Sequence, residues 1–371
     1  MNICKRCVMD DTVPDIVFYE DGRCSLCKKY DEVSVNEVYY NSFGAQRLEK
    51  LVSKIKSGNS KNKYDCLIGV SGGVDSSYLA VLVKEQLGLN PLAVHMDNGW
   101  NSELAISNVE NLLEKLDIDL VTNVLNWEEF RDLQKSFLLS SITNIEIPTD
   151  HAIWATLART AAKHRIKYIF AGNNVVTEAV MPDSWLYGSK DLKLIQSIHR
   201  QYGKKSLNSY PRLSIFDYAY FFLFRGIKWI PVLNYIPFNK QEAKDILVDR
   251  FNWRDYGGKH YESIFTRFFH SYYLPQKFNI DLRKSYSSSL ICSNQLSRAE
   301  ALKDLDQPPA KAEILKEDYE YVKKKLGFSD DEFNTIMNSA PKLHLDYKNN
   351  EKIWKFFAGI VRFARNKITQ V

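Results

Sequence analysis

The chain reads as an α/β protein built on a doubly wound parallel sheet, with a cysteine-rich unit ahead of the sheet and a helical region after it. Three observations predict this. Short apolar runs alternate with amphipathic segments between residues 64 and 172, the pattern of repeated βαβ units. Four of the six cysteines fall in two tight pairs near the start. From about residue 240 onward the strand pattern gives way to helical periodicity. The expected divisions are cysteine knuckles at 1–35, a nucleotide-binding α/β domain at 60–240 and a mainly helical region at 241–371.

The elements follow in chain order. Cys4-x-x-Cys7 and Cys24-x-x-Cys27 are two turns with sixteen residues between them. Two such turns facing each other offer four thiolates in a tetrahedron, the arrangement of a structural zinc site with no position left for a catalytic water. An iron–sulfur cluster also takes four thiolates, and four reduced, unliganded cysteines are the third alternative. "DDTVPDIVFYEDG" between the pairs predicts a small hairpin. Residues 31–60 predict an amphipathic helix with Leu48, Leu51, Val52 and Ile55 on one face.

"YDCLIGV" (Tyr64 to Val70) is a continuous apolar run, as in a buried parallel strand. A helix is predicted over 76–87. "PLAVHMD", "DLVTNVL" and "IKYIFAG" are the following strands, and the segments from Ser102, Trp127 and Thr149 are the helices between them. "YAYFFLFRGIKWIPVLNYIPF" (Tyr218 to Phe238) is broken by Arg225, Lys228, Pro231 and Pro237. It reads as buried elements and turns, not as a membrane span. Beyond it come helices in "NKQEAKDILVDRF", in "SIFTRFFHSYYLPQKF" after a glycine turn, and in "SRAEALKDLD", where Ser297 and Glu300 form a capping box.

Composition narrows the class. Hydrophobic residues are 45% and charged residues 26%, ordinary for a globular protein. The net charge of +5 suits a phosphorylated ligand but makes no case for nucleic acid. The opening "MNICKRCVMD" has no apolar core of a signal peptide, so the expected location is the cytoplasm. Disulfides are not expected there, and Cys66 and Cys292 read as structural.

In a doubly wound sheet, ligands bind beyond the carboxyl ends of the strands. The first strand is followed by Ser71-Gly-Gly-Val-Asp-Ser-Ser77. Gly72 and Gly73 let backbone N–H groups approach an anion ahead of a helix N-terminus, and Ser71, Ser76 and Ser77 add hydroxyls. The loop has no lysine, so it is not a Walker P-loop. Asp75 beside phosphates requires a cation between them, which Mg²⁺ supplies. The second strand ends at Asp97. The fourth is followed by Gly172, Asn174, Thr177 and Glu178.

"SGGVDSS" resembles the SGGxDSS motif of the ATP pyrophosphatases, or PP-loop enzymes, of the adenine nucleotide alpha hydrolase-like fold, and "AGNNVVTEAV" resembles their later motif. The resemblance implies cleavage of ATP between its α and β phosphates, transfer of AMP to a carbonyl or amide-like oxygen, and displacement by nitrogen or sulfur. It implies ATP binding by Ser71, Gly72, Gly73, Asp75, Ser76, Ser77, Asp97, Gly172 and Asn174. A closer resemblance runs through "CKRCVMDDTVPDIVFYEDGRCSLC", "GVSGGVDSSYLA", "DNGWNSELA", "YGGKHYESIFTRF" and "LPQKFNIDLRK". These are similar to the N-acetyl sugar amidotransferases that make acetamidino sugars for lipopolysaccharide O-antigen or amidinate nonulosonic acids. That resemblance implies ammonia replacing the oxygen of an N-acetyl group on a nucleotide-linked sugar, with Asp75, Glu178, Lys259, His260 and Arg267 in catalytic roles. Lys277, Arg283 and Lys284 are further candidates to meet phosphate. No glutaminase nucleophile is recognisable, and the resemblance implies a glutaminase partner with a cyclase-like adaptor.

Two rivals are carried. One is a PP-loop tRNA-thiolating enzyme, although "NIEIPTDHAIWATLA" lacks the cysteines such enzymes often carry. The other is a non-catalytic nucleotide-binding module. The C-terminal "NEKIWKFFAGIVRFARNK", with Phe357, Ile360, Val361, Ala364, Arg362, Arg365 and Lys367, reads as a final helix packing on the domain or as a docking element.

Overall fold

The computed structural model describes residues 2–58 and 62–356. After the cysteine turns come α1 (Ser25–Glu37) and α2 (Ser42–Gly58), and then β1 (Cys66–Gly69), α3 (Val74–Val81), β2 (Pro91–Asp97), α4 (Glu103–Lys115), β3 (Leu120–Val124), α5 (Trp127–Ser140), α6 (Ile147–Lys163) and β4 (Tyr168–Ala171). A short α7 (Val175–Glu178), α8 (Leu192–Tyr202) and α9 (Ile215–Tyr218) lead to β5 (Lys228–Pro231). The remainder is helical: α10 (Lys240–Phe251), α11 (Ile264–Phe268), α12 (Leu274–Phe278), α13 (Arg283–Cys292), α14 (Arg298–Leu305), α15 (Ala312–Leu326) and α16 (Asp330–Asn338).

The five strands form one parallel sheet in the order β3-β2-β1-β4-β5. The doubly wound sheet expected from the sequence is therefore present, with helices on both faces. Leu79, Ala80 and Leu82 join Leu112, Leu113 and Leu247 under one face. Ala155, Ala158 and Ala161 of α6 pack on Leu67, Leu92 and Ile169 under the other. Strand order reverses between β1 and β4, so a crevice opens beyond the carboxyl ends of those two strands.

Two helix starts fall where the sequence placed their caps, whereas α6 begins at Ile147 after an N-cap Glu146 that makes no side-chain cap bond, ahead of the start expected at Thr149. Ser102 accepts from the Ala105 N–H, and Ser297 with Glu300 makes the reciprocal capping box. Three further expectations are corrected. The hairpin expected over 10–22 is shifted: one antiparallel bridge, Ile3 to Asp10, encloses the first cysteine pair, and a second, Phe18 to Cys24, closes a tight turn that leads into the second pair. The helix predicted from Ser76 begins two residues earlier, at Val74. The aromatic run of 218–238 is only partly buried. Tyr220, Leu223 and Phe224 face solvent with the neighbouring Phe216, while Phe221, Val232 and Leu233 enter the core. Among the described residues no helix is long and apolar enough to cross a membrane. Of the C-terminal stretch, Ile353 and Phe356 are exposed, and Phe357 onward lies outside the described residues.

One histidine fixes α6 in place. His151 is fully buried. Its Nδ1–H donates to the Ser189 carbonyl at 2.8 Å, and its Nε2 accepts from the Leu213 N–H at 3.0 Å. Both nitrogens are used by the neutral ring, and burial lowers its pKa to about 4. A depressed folded-state pKa gives stability that is complete above about 6.5 and is lost as pH falls toward 4. Denaturant titrations are expected to show the wild type losing about 2 kcal/mol more than His151→Asn between pH 7.5 and pH 5. Equal pH dependence in both proteins would refute this assignment.

Candidate functional site

The crevice is built by a tight turn at the end of β1. Gly72 has φ +88°, and a Cβ there would lie 2.8 Å from Tyr256 Oη and 3.0 Å from the Ala105 carbonyl oxygen. Backbone conformation and crowding therefore both require glycine. The Gly72 carbonyl accepts from Trp253 Nε1 at 2.9 Å and from Tyr256 Oη at 3.0 Å, which ties the turn to the segment after α10. Ser71 and Ser76 Oγ meet at 3.1 Å across the loop, and Ser71 Oγ accepts from the Gly73 N–H. Gly73 then caps α3 in an extended conformation. The end of β4 comes equally close: a Cβ on Gly172 would sit 3.1 Å from the Asp75 backbone and 3.2 Å from the Ser76 nitrogen.

Two adjoining cavities share this turn. The larger, about 570 Å³, is lined by Ser71, Gly73, Asp75, Ser76, Gly172, Glu178, Lys240, Lys244, Lys259, His260 and Glu262, among others. Asp75 is its buried anion. One oxygen lies 3.4 Å from Thr177 Oγ1, and the other is buried without a hydrogen-bond partner. Burial pushes the Asp75 carboxyl up in pKa, and Lys240 opposes that shift. Lys259 Nζ stands 3.4 Å from Glu178 Oε1 and 3.7 Å from the centre of the Tyr286 ring. Burial and then the Lys259 charge lower the pKa of Lys240. The lining carries three lysines and four carboxylates, Asp75, Glu178, Asp255 and Glu262, with Lys244 held by Asp255, so a polyanion fits here only together with a cation. The orphaned Asp75 oxygen is the position a Mg²⁺ ion fits, with Glu178 nearby.

The smaller cavity, about 440 Å³, lies on the β2 side. His95 ties the strand ends together: Nδ1–H donates to the Val70 carbonyl and Nε2 accepts from Asn101. Met96, Asn98, Asn101, Glu146, Thr149, Asp150, Trp229, His260, Glu262, His270 and Tyr286 are among its lining residues. His260 sits at the wall between the cavities with φ +63°, a conformation few non-glycine residues adopt. Its Nδ1 is 3.6 Å from Glu262 Oε1. Burial works against the Glu262 charge, but His260 outweighs it and holds that carboxyl below its ordinary range. Burial drives the pKa of His270 well down, helped by His260 and Lys259.

Behind the crevice, Cys4, Cys7, Cys24 and Cys27 bring their sulfurs within 4.8 Å of one another, all fully buried. The Cys4–Cys27 and Cys7–Cys24 separations are both 3.7 Å. Four sulfurs bound to one zinc at about 2.3 Å would be about 3.8 Å apart. Cys4 Sγ accepts the Cys24 and Cys7 N–H groups, and Cys7 Sγ accepts that of Met9, contacts that favour thiolates. The donor set thus fits a tetrahedral metal. Cys66 is buried in β1, and Cys292 Sγ packs 3.9 Å from Cys27 Sγ.

Two family models match the sequence. Residues 262–361 match "LPS biosynthesis protein WbpG-like, C-terminal domain", and residues 45–137 match NAD synthase. Together the two matches support a lipopolysaccharide-related member of the PP-loop ATP pyrophosphatase superfamily. An uncharacterized protein of Methanocaldococcus jannaschii is 36% identical over 90 residues, 24% of this chain and 31% of that protein. The glutamine-hydrolyzing GMP synthase of Thermosipho africanus is 29% identical over 136 residues, 31% of this chain and 24% of that enzyme. The chain thus spans less than a third of these curated relatives. The NH3-dependent NAD synthetase of Campylobacter jejuni aligns over 81% of this chain and 98% of its own, with 13% identity and a TM-score of 0.31.

The crevice gathers Ser71, Gly73, Asp75, Ser76, Gly172, Glu178, Lys259 and His260. Other expected residues stand elsewhere. Gly72 shapes the turn from beneath. Ser77 is buried in α3, and Asn174 caps α7 by accepting from the Thr177 N–H. Asp97 accepts from the Gly99 N–H and bends the β2 loop. Arg267 is corrected outright: both arms of its guanidinium hold buried Asp318 at 2.7 Å, and it lines neither cavity. Lys277 binds the carbonyls that end α16, Arg283 pairs with Asp281, and Lys284 pairs with Asp10. The sequence reading missed Lys240, Lys244, Tyr256, Glu262, Glu146 and Asp150. Lys240 did carry a signal, since a lysine in the first turn opposes the helix dipole.

Two outcomes are expected. Purified protein should hold one metal ion per chain by elemental analysis, lost in Cys7→Ser with a lowered melting temperature. A metal-free wild type with unchanged melting would exclude the centre. Arg267→Met should cost about 3–5 kcal/mol of stability by leaving Asp318 unpaired, with much of the loss recovered in Arg267→Met/Asp318→Leu. A variant as stable as wild type but dead in ATP binding would instead return Arg267 to the site.

Proposed function

We propose that this protein is an ATP-dependent, AMP-forming amidotransferase that converts the N-acetyl group of a sugar to an acetamidino group for a bacterial surface glycan. The observation that carries it is the pairing of a lysine-ringed cavity around Asp75 with a second cavity opening from the same turn. A match over 262–361 to a lipopolysaccharide-biosynthesis domain supports a sugar acceptor.

The chemistry follows from the weakness of an amide as an electrophile. Its oxygen attacks the α phosphorus, the bond to the β phosphate breaks, and pyrophosphate leaves. Ammonia's lone pair then forms a C–N bond at the activated carbon. AMP departs with the former carbonyl oxygen, and the released proton ends on pyrophosphate or solvent. Lys240, Lys244 and Lys259 would hold the β and γ phosphates and offset charge on the leaving group. Mg²⁺ bound at Asp75 and Glu178 would neutralise phosphate charge. Backbone N–H groups at the start of α3 would seat the α phosphate. Zinc is the metal we assign to the four cysteines. Cys66 and Cys292 are both buried and offer no exposed glutaminase nucleophile, so the ammonia is expected from a separate glutaminase; the cyclase-like adaptor and the nucleotide-linked form of the sugar are what the resemblance to the sugar amidotransferases implies.

A thiolation reading needs a sulfur-handling thiol at the crevice, and no cysteine is among the residues lining either cavity. The test is incubation with ATP, Mg²⁺, ammonium and a panel of free and nucleotide-linked N-acetyl sugars. A sugar product about one mass unit lighter, formed with AMP, is expected. Asp75→Asn should lower AMP formation at least about 100-fold. AMP with an unchanged sugar and a modified RNA would overturn the reading.

A further inference from the structure

The smaller cavity has a charge pattern that ATP does not explain. Its lining includes three carboxylates, Glu146, Asp150 and Glu262, and no lysine or arginine. Glu262 is matched by His260. Among the described residues, Glu146 and Asp150 are not matched by any cation. They lie one turn apart on α6, so both project to one face. Glu146 is 8% exposed, and its one side-chain donor of good geometry is the neutral Thr266 hydroxyl at 2.9 Å. Asp150 sits deep among protein atoms yet is open, because the cavity lies in front of it. Burial pushes the Asp150 carboxyl up to about 7, with Glu146 adding to the shift, and burial also raises Glu146.

A second observation marks the same spot. Thr149, 9% exposed, lies beside Glu146 on the cavity wall, but its Oγ1 makes no hydrogen bond of good geometry. A buried hydroxyl, a buried acid and a second acid open to the cavity, without cationic partners among the described residues, form an incomplete polar cluster. What completes it must donate N–H bonds and carry positive charge.

Under the reaction proposed above, such a group arises. Replacing the carbonyl oxygen of an acetamido group with nitrogen turns a neutral amide into a planar amidinium cation. Its two N–H edges match a carboxylate as a guanidinium does. We propose that Glu146, Asp150 and Thr149 form an amidinium subsite that holds the nitrogen-bearing end of the product. The same acids favour the positive charge that builds on the carbon as it is adenylated and attacked, so the subsite binds the reacting group more tightly as reaction proceeds. This inference rests on the amidotransferase reading for its ligand, and on the geometry of α6 for its location.

The probe is acetamidinium chloride, with neutral acetamide and ammonium chloride as comparisons at equal ionic strength. Binding to the full chain is read by saturation-transfer NMR. Wild type is expected to bind acetamidinium at least about tenfold more tightly than acetamide, and more tightly than ammonium, which lacks the two-edged plane. Asp150→Asn and Glu146→Gln, each confirmed folded by near-ultraviolet circular dichroism, should each lose about tenfold or more of that affinity. Equal binding of acetamidinium and acetamide, or full affinity in both variants, overturns the subsite. Ammonium bound as tightly as acetamidinium also overturns it, since the acids would then hold the ammonia source instead. A wild type that makes amidino sugar but ignores acetamidinium leaves the reaction standing without the subsite. One that binds acetamidinium through Asp150 but makes no amidino sugar leaves the subsite standing without the reaction.

Discussion

Everything at the crevice depends on how closely the end of β4 meets the first turn of α3. At Gly172 a single methyl group would already press on the Asp75 and Ser76 backbone. That contact lies where the strand order reverses, between β1 and β4. It fixes the β1 turn from one side while Trp253 and Tyr256 hold the Gly72 carbonyl from the other. The turn is therefore held by its neighbours, with the Ser71 and Gly73 N–H groups bonded to the Ser76 and Ser71 hydroxyls and Asp75 locked beneath. A loop so constrained loses little entropy when an anion binds, the condition for a preorganised phosphate site.

The two cavities differ in charge. All three lysines stand on one side, interleaved with Asp75, Glu178 and Asp255, and the other side, along α6, has acids and no lysine or arginine. His260 and Glu262 stand on the boundary and line both. An uncompensated charge is costly in a buried space, so the α6 side favours a cationic group, while the mixed side suits an anion that arrives with a metal ion. The held conformation of His260 keeps the partition in place, because its ring packs against His270 and Tyr286 at 5.1 and 5.4 Å.

Local signals made the sheet and its turn legible. Buried strands write themselves as apolar runs, and glycines at forced positions write themselves as a motif. The cysteine pairs were legible for the same reason, since each pair is one turn. What the sequence hid is long-range pairing. Arg267 stood among aromatics and resembled a pocket residue, but its partner Asp318 lies 51 positions away. Lys284 likewise answers Asp10, 274 positions back. Glu146 and Asp150 gave no signal, because acids near a helix N-terminus are ordinary partners of its dipole. Only the cavity in front of them shows that these two face inward.

The cysteine centre sits far from the chemistry in sequence and close to it in mechanical terms. Arg298 donates to the carbonyls of Cys4 and Cys7, the Val8 N–H donates to Ser288, and Lys284 pairs with Asp10. All three grips reach α13 or the start of α14. The adjacent row of α13 holds the α7 segment: Ser285 donates to the Val180 carbonyl, Ser289 accepts from the Val180 N–H, and Ser293 donates to the Val176 carbonyl. The α7 segment carries Thr177 and Glu178, and α13 itself carries Tyr286, whose ring lies under Lys259. The run of small serines lets these backbones approach closely. A metal bound by the four cysteines would stiffen the two turns and with them α13, and through it Glu178 and Lys259. It would hold the shape of the crevice, which a fully thiolate-ligated centre can do without offering an open position to substrate.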